Sequence, residues 1–208
     1  MLSIFSLPEL ISLVIFTAAM SFSPGPNTML TTAIATNEGI RKTIPFALAV
    51  PVGWLVIMLS CGLGIGTIII EIPSLRLGIK LLGCAYLLWL SYKLCKSKQL
   101  LEVHTSKLNV NFPKGVLLQF LNIKVWLLAI TITGTWIIDT NGQPSTNPNE
   151  RLALACAVVM FFAFTSNMTY AMAGALFRTW LGSGNRLTIF NYFLALVLML
   201  TALWTLSI

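Results

Sequence analysis

Charge is what this chain of 208 residues has least of: 9% of its residues are Asp, Glu, Lys or Arg, against about 25% in a soluble domain. With 57% hydrophobic residues and a mean hydropathy of +0.87, such a surface cannot face water throughout, and the sequence reads as an all-α integral membrane protein. Acids are scarcer than bases, 6 against 13, and none lies in the middle of an apolar run. His104 is the single histidine and stands in a polar stretch. Hydrolysis or metal chemistry needs a constellation of histidines and carboxylates, so the sequence does not read as an enzyme, and no cofactor or metal is expected. The four cysteines, Cys61, Cys84, Cys95 and Cys156, are solitary and lack metal or disulfide spacing. They are expected to be small apolar packing residues. A membrane thiol-redox carrier would need a cysteine on the first span of each half to relay disulfide exchange. Neither Leu7 to Ala35 nor Gly115 to Ile138 has one. No base precedes Arg41, so the basic start of a cleavable signal is missing and Met1 is expected to be retained. The net charge of +7 comes from bases in short loops, without the basic domain a nucleic-acid partner requires.

What is present is six apolar segments, approximately Leu7 to Ala35, Thr43 to Ile70, Leu75 to Leu94, Gly115 to Ile138, Leu152 to Phe177 and Leu187 to Leu206. Each is long enough to cross a bilayer, which takes roughly 20 helical residues. Arg41, Lys42, Lys93, Lys96, Lys98, Lys107, Lys114, Arg178 and Arg186 fall in the first, third and fifth loops; the second and fourth hold Arg76 and Arg151. The positive-inside rule then puts the odd loops in the cytoplasm and both termini on the other side. Lys80 is one turn from a helix end and can snorkel outward.

The first segment is interrupted by Ser23-Pro24-Gly25-Pro26-Asn27. Pro24 and Pro26 lack N–H groups and crowd the carbonyls four residues back, so they should free those of Met20 and Phe22, and Gly25 lets the chain turn. Freed backbone groups are tolerable in a membrane only against protein or a polar cavity. Asn27 is expected to cap a second half-helix whose unpaired N–H groups attract an anion. A kink that serves packing alone is the alternative, though two prolines, a glycine and an asparagine so close together favour a site.

Lys124 lies near the middle of the fourth segment, two residues from Asn122. A lysine at that depth faces a cavity or a partner, or else the helix is shifted and its stem lies along Trp126 and Leu127. Three spans, a long polar loop and three more spans suggest a single domain over residues 1–208 built as two inverted three-helix repeats, about 1–95 and 112–208, with the first helix of each interrupted. Asn167, in the polar cluster from Thr165 to Tyr170, is a further cavity candidate. Gly62-Leu63-Gly64-Ile65-Gly66 and Gly83-Cys84-Ala85 read as close-packing surfaces.

Ser23 to Asn27, then Gly39, Arg41, Gly53, Gly62-Leu63-Gly64, Gly83 to Leu90 and Phe112 to Lys124, taken in order along nearly the whole chain, resemble the LysE/RhtB amino-acid exporters. The resemblance implies proton-driven export of small amino acids or their derivatives across the bacterial inner membrane; with the loop charges, both termini are then expected to be periplasmic. Many members have Asn-Pro-Lys at Asn122-Ile123-Lys124, and an acid at Trp54. The sharpness of the fourth-span break is therefore open, and one candidate for proton coupling is absent. Gln119-Phe120 with Asn122, Lys124, Asn167 and Gly174 is similar to the branch that exports cysteine and O-acetylserine. On this reading Pro24, Gly25, Pro26, Asn27, Asn122, Lys124 and Asn167 bind a small zwitterion. The half-helix start and Lys124 take its carboxylate; the Met20 and Phe22 carbonyls, with Asn122 and Asn167, take its ammonium. Protons and the lipid bilayer are the other expected partners, a homo-oligomer is compatible with the sequence, and a non-transporting membrane assembly protein is the remaining alternative.

Overall fold

The computed structural model of the protein describes residues 4–64, 72–96, 110–137, 147–181 and 185–207, and these form helices without a strand among them. In chain order they are α1 (Leu7–Phe22), α2 (Pro26–Glu38), α3 (Ile40–Gly62), α4 (Pro73–Lys96), α5 (Phe112–Phe120), α6 (Ile123–Ile132), α7 (Pro148–Leu181) and α8 (Arg186–Ser207). A π-helical turn, Thr133–Ile137, continues α6. His104, Glu71, Lys98, Lys107 and residues 65–70 and 138–146 of the expected segments and loops lie outside the described residues, as do the side chains of Arg76, Lys80 and Lys93.

Local chemistry explains most of the boundaries. Ser6 caps α1: its hydroxyl accepts from the Glu9 N–H, and the Glu9 carboxylate accepts from the Ser6 N–H at 2.7 Å. Gly39, at φ 89°, ends α2 and starts α3 in a conformation that favours glycine. Asn111 and Asn122 cap α5 and α6 through their side chains.

Helices α3, α7 and Arg186–Leu203 of α8 are long and apolar enough to cross a membrane. The pairs α1 with α2 and α5 with α6 pass the same test only when joined, and are bent at their breaks by 49° and 66°. The second break is therefore the sharper of the two, although Ile123 stands where a proline was the expected cause. Large apolar side chains such as Leu7, Ile15, Leu117, Phe161, Leu176 and Ile189 point outward, as they must where the solvent is lipid.

Helix α2 is the hub. Every residue from Asn27 to Thr36 is buried, against α7 and α3 with α8 alongside. Its four threonine hydroxyls stay within the protein. Thr28 and Thr32 bond backbone of α2 or its cap, Thr31 donates to Asn167, and Thr36 donates to the Gly174 carbonyl. Helix α4 lies along α8, α5 against α3, and α1 against α7. Gly83 does act as a close-packing position, because a Cβ there would collide with the Leu121 carbonyl at the second break. Gly62 does the same under Leu152.

Candidate functional site

The two breaks meet. Lys124, one residue into the first turn of α6, reaches across to the end of α1, where its ammonium donates to the Ser23 hydroxyl at 2.6 Å and the Ser23 carbonyl at 3.1 Å. Both bonds are made with the segment that the prolines stop from continuing as helix. Gly25 leaves the ammonium room: a Cβ there would stand 3.3 Å from Nζ. An ammonium has three donors, so one remains for a ligand, and among the described residues no carboxylate pairs with it. Lys124 lines the two spaces described below.

Asn27 is not the cap of α2. Gly25 is, with Pro26 at the first helical position, where its missing N–H would have no helical acceptor anyway. Thr28 replaces the side-chain cap by accepting from the Gly25 N–H at 3.0 Å and donating to the Gly25 carbonyl at 3.1 Å. The first intrahelical bond runs from the Met29 N–H to the Gly25 carbonyl, so the N–H groups of Asn27 and Thr28 precede it at the half-helix start.

The Asn27 side chain points instead into the protein, donating to Gln119 Oε1 at 2.7 Å. The Trp54 indole donates to the same oxygen at 3.1 Å, and Gln119 Nε2 anchors itself on the Gly115 carbonyl at 2.9 Å. Gln119 is fully buried and occupies the space that Gly53 leaves on α3. It thus joins the last turn of α5 to the start of α2 and to α3. In the sequence Gln119 stands out only in the Gln119-Phe120 pattern shared with the cysteine/O-acetylserine branch. The available signal was its position one turn before Asn122, on a helix otherwise apolar.

The carbonyls expected to be free for a substrate ammonium are occupied. Met20 accepts from the Ser23 hydroxyl at 2.9 Å and Phe22 from the Tyr170 hydroxyl at 3.0 Å. At the second break the Trp126 indole takes the Phe120 carbonyl at 2.9 Å. Buried polar backbone finds partners wherever it can, and here three side chains supply them. Among the described residues, acceptors left open at the cleft include the Oδ1 of Asn27, whose Nδ2 alone is engaged, and the Ser21 hydroxyl.

Asn122 caps α6 through Oδ1, bonded to the Lys124 N–H at 3.2 Å. Asn167 accepts from Thr31 at 2.8 Å and donates to the Ala163 carbonyl at 2.8 Å. Gly25, Pro26, Asn27, Asn122, Lys124 and Asn167 line one narrow cleft with Ser21, Ser23, Thr28 and Trp54; its volume is about 10 Å³, room for a water. On the other side of Lys124 a cavity of about 440 Å³ opens between the two breaks and α8, bounded by Pro24, Leu127, Leu200 and Thr201 among others. All seven residues proposed from sequence therefore border one or both of these spaces, and Ser21, Ser23, Thr28 and Trp54 join them, with Gln119 behind Asn27 and Trp54.

Comparison with known proteins identifies the family. The family described as LysE type translocator matches residues 18–207. A cysteine/O-acetylserine efflux protein of Klebsiella pneumoniae is 30% identical over 198 residues, covering 94% of this chain and 96% of that one. One of the same name from Salmonella choleraesuis is 31% identical over 189 residues, 90% and 92% of the two chains. An Escherichia coli protein with that name is 28% identical over 164 residues, 78% and 80%. No solved structure matches. With its apolar helices broken around a shared polar site and the family match spanning nearly all of its length, the chain belongs to the LysE type translocators and is a multi-pass membrane transporter rather than an enzyme.

Proposed function

We propose that the protein exports a small zwitterionic amino acid, of the cysteine or O-acetylserine kind, across the bacterial inner membrane, with homoserine- or threonine-like substrates as the next candidates. The observation that carries the reading is the Lys124 ammonium, held at the meeting point of two broken helices with one donor in hand and, among the described residues, no acid paired with it. A substrate carboxylate there meets that ammonium and the N–H groups of Asn27 and Thr28 at the positive end of α2. The substrate lies in the larger cavity beside Lys124, and its ammonium reaches toward the Asn27 Oδ1 on the wall of the adjoining water-sized cleft. Asn122 and Asn167 serve by holding α6 and α2 in place around it.

Alternating access follows from the two inverted repeats, for which the packing gives support. An exchange of halves sends α1, α2, α3 and α4 to α5, α6, α7 and α8. The contacts of α3 with α7 and of α4 with α8 map onto themselves under that exchange, and those of α1 and α2 with α7 map onto those of α5 and α6 with α3. Coupling to protons remains part of the proposal, with both termini periplasmic. Among the described residues no carboxylate borders the site, and the proton carrier in this reading is the substrate or Lys124 itself.

A substrate panel assayed for efflux in cells lacking the gene, with and without the protein, tests the reading. Lower intracellular cysteine or O-acetylserine on expression is the expected result. Asn27→Ala should remove that effect at unchanged membrane abundance; unchanged pools across the whole panel would refute the reading.

A further inference from the structure

Four buried side-chain polar atoms among the described residues have no hydrogen-bond partner: Thr17 Oγ1, Ser21 Oγ, Thr133 Oγ1 and Arg151 Nε. They are not scattered. Thr17 and Ser21 are one turn apart on α1, and Ser21 lines the cleft that holds Lys124. Helix α6 runs antiparallel to α1. Lys124 meets Ser23 at one end of the seam, and the Trp136 indole meets the Glu9 carbonyl at 3.1 Å and the Ser12 hydroxyl at 3.2 Å at the other. That register sets Thr133 at the height of Leu13 to Thr17. Thr17 and Ser21 thus lie on α1 between the site and the first turn of that helix, with Thr133 at that height on the helix running alongside.

The seam ends under a plug. Arg151, at the start of α7, donates through Nη1 to the Glu9 carboxylate at 3.1 Å and to the Trp136 carbonyl at 3.0 Å, and its guanidinium lies 4.7 Å over the buried ring of Phe5. Trp136 packs on Phe16 with ring centroids 5.6 Å apart. One arginine thus ties together the three elements that border the seam: α1, the π-helical turn after α6, and α7.

Unpaired buried hydroxyls are uncommon in proteins, and each calls for a reason. We propose that the Thr17–Ser21–Thr133 seam is the passage by which the substrate travels between the Lys124 site and the membrane face where α1 begins, and that the Arg151–Glu9 pair with Trp136 is the gate closing it. In the closed form seen here the hydroxyls lack partners; with the gate open they bond the ammonium and carboxylate of a passing zwitterion, and water. The inference rests on the exporter reading for its substrate, but not for its test.

The test is thiol labelling without any substrate. Thr17→Cys is introduced into the protein and exposed to a membrane-impermeant maleimide, in intact cells and in inside-out vesicles, with the unsubstituted protein as baseline. Labelling should be slow. Adding Arg151→Ala or Glu9→Gln should speed it roughly tenfold or more, the order expected when a charge-assisted hydrogen bond holding a closed state is removed. The gain should come from one membrane face only. The swapped pair, Glu9→Arg with Arg151→Glu, should slow it again, and Ile15→Cys on the outward side of α1 should respond to none of these changes. Glu9→Gln preserves side-chain shape and remains readable where Arg151→Ala does not accumulate. A labelling rate indifferent to both gate variants, or raised equally from both faces, overturns the proposal. Loss of export with gated labelling intact would count against the substrate reading alone.

Discussion

The two breaks that build the site are made by different means. Between α1 and α2 two prolines and a glycine interrupt the helix, and the bend is 49°. Between α5 and α6 there is no proline in the gap, only Leu121 and Asn122, yet the bend is 66°. Proline removes helical bonds, but it does not decide where the chain goes next. At the second break that decision is made by the Asn122 cap, by the Trp126 indole on the Phe120 carbonyl, and by Gly83 of α4, which lets the Leu121 carbonyl come close. At the first it is made by Thr28, Tyr170 and Lys124, which receive the loose ends of the backbone. A break in a membrane helix is stable when its freed polar groups are satisfied by neighbours; the first break meets that condition with the distant Tyr170 and Lys124 besides the local Thr28, the second with the local Asn122 and Trp126.

Five substitutions probe the difference, from the largest expected effect to the smallest. Lys124→Ala removes the single cation shared by both breaks, and efflux should fall by roughly 100-fold, the cost of a charge-assisted bond to the substrate, at unchanged membrane abundance by immunoblot. Gly83→Ala pushes a methyl into the Leu121 carbonyl and should cost about 1–3 kcal/mol, as overpacking does, seen as a lower melting temperature in detergent. Its counterpart Gly25→Ala meets only the flexible end of Lys124, so it should lower efflux while leaving melting nearly unchanged; equal losses of stability from both glycines would erase the contrast. Asn122→Ala removes the second cap and should cost about 1 kcal/mol, again read by melting. Ile123→Pro should be almost silent in both assays. The position is the first residue of α6, where an N–H has no helical acceptor, and Asn122 at φ −93°, ψ 96° already has the extended backbone that precedes proline. A large loss from Ile123→Pro would mean that the second break depends on a bond from that N–H.

Much of this site could be read from residue order because its chemistry is local. A Pro-Gly-Pro run in an apolar stretch and a lysine in the middle of another are anomalies that a membrane does not tolerate without cause. The cap of α2 was misplaced by one local rule overriding another. Asparagine is a good cap, but proline prefers the first helical position, and that preference makes Gly25 the cap and turns Asn27 inward. Gln119 and Trp54 were missed as site residues for a different reason: their roles exist only because α3, α5 and α2 come together. The same holds for Arg151 and Glu9, separated by most of the chain and joined in space. The carbonyls of Met20 and Phe22 were rightly seen as released from the helix, but the side chains that take them up lie on the same element in one case and on α7 in the other.

The central claim is that Lys124 receives a carboxylate where the two broken helices meet. Export of cysteine and of its decarboxylated analogue cysteamine, compared in vesicles containing wild-type protein or Lys124→Ala, tests it most directly. The account predicts that wild-type protein moves cysteine far faster than cysteamine and that Lys124→Ala loses the cysteine advantage. Cysteine export by Lys124→Ala at the wild-type rate, with the same preference over cysteamine, would contradict it.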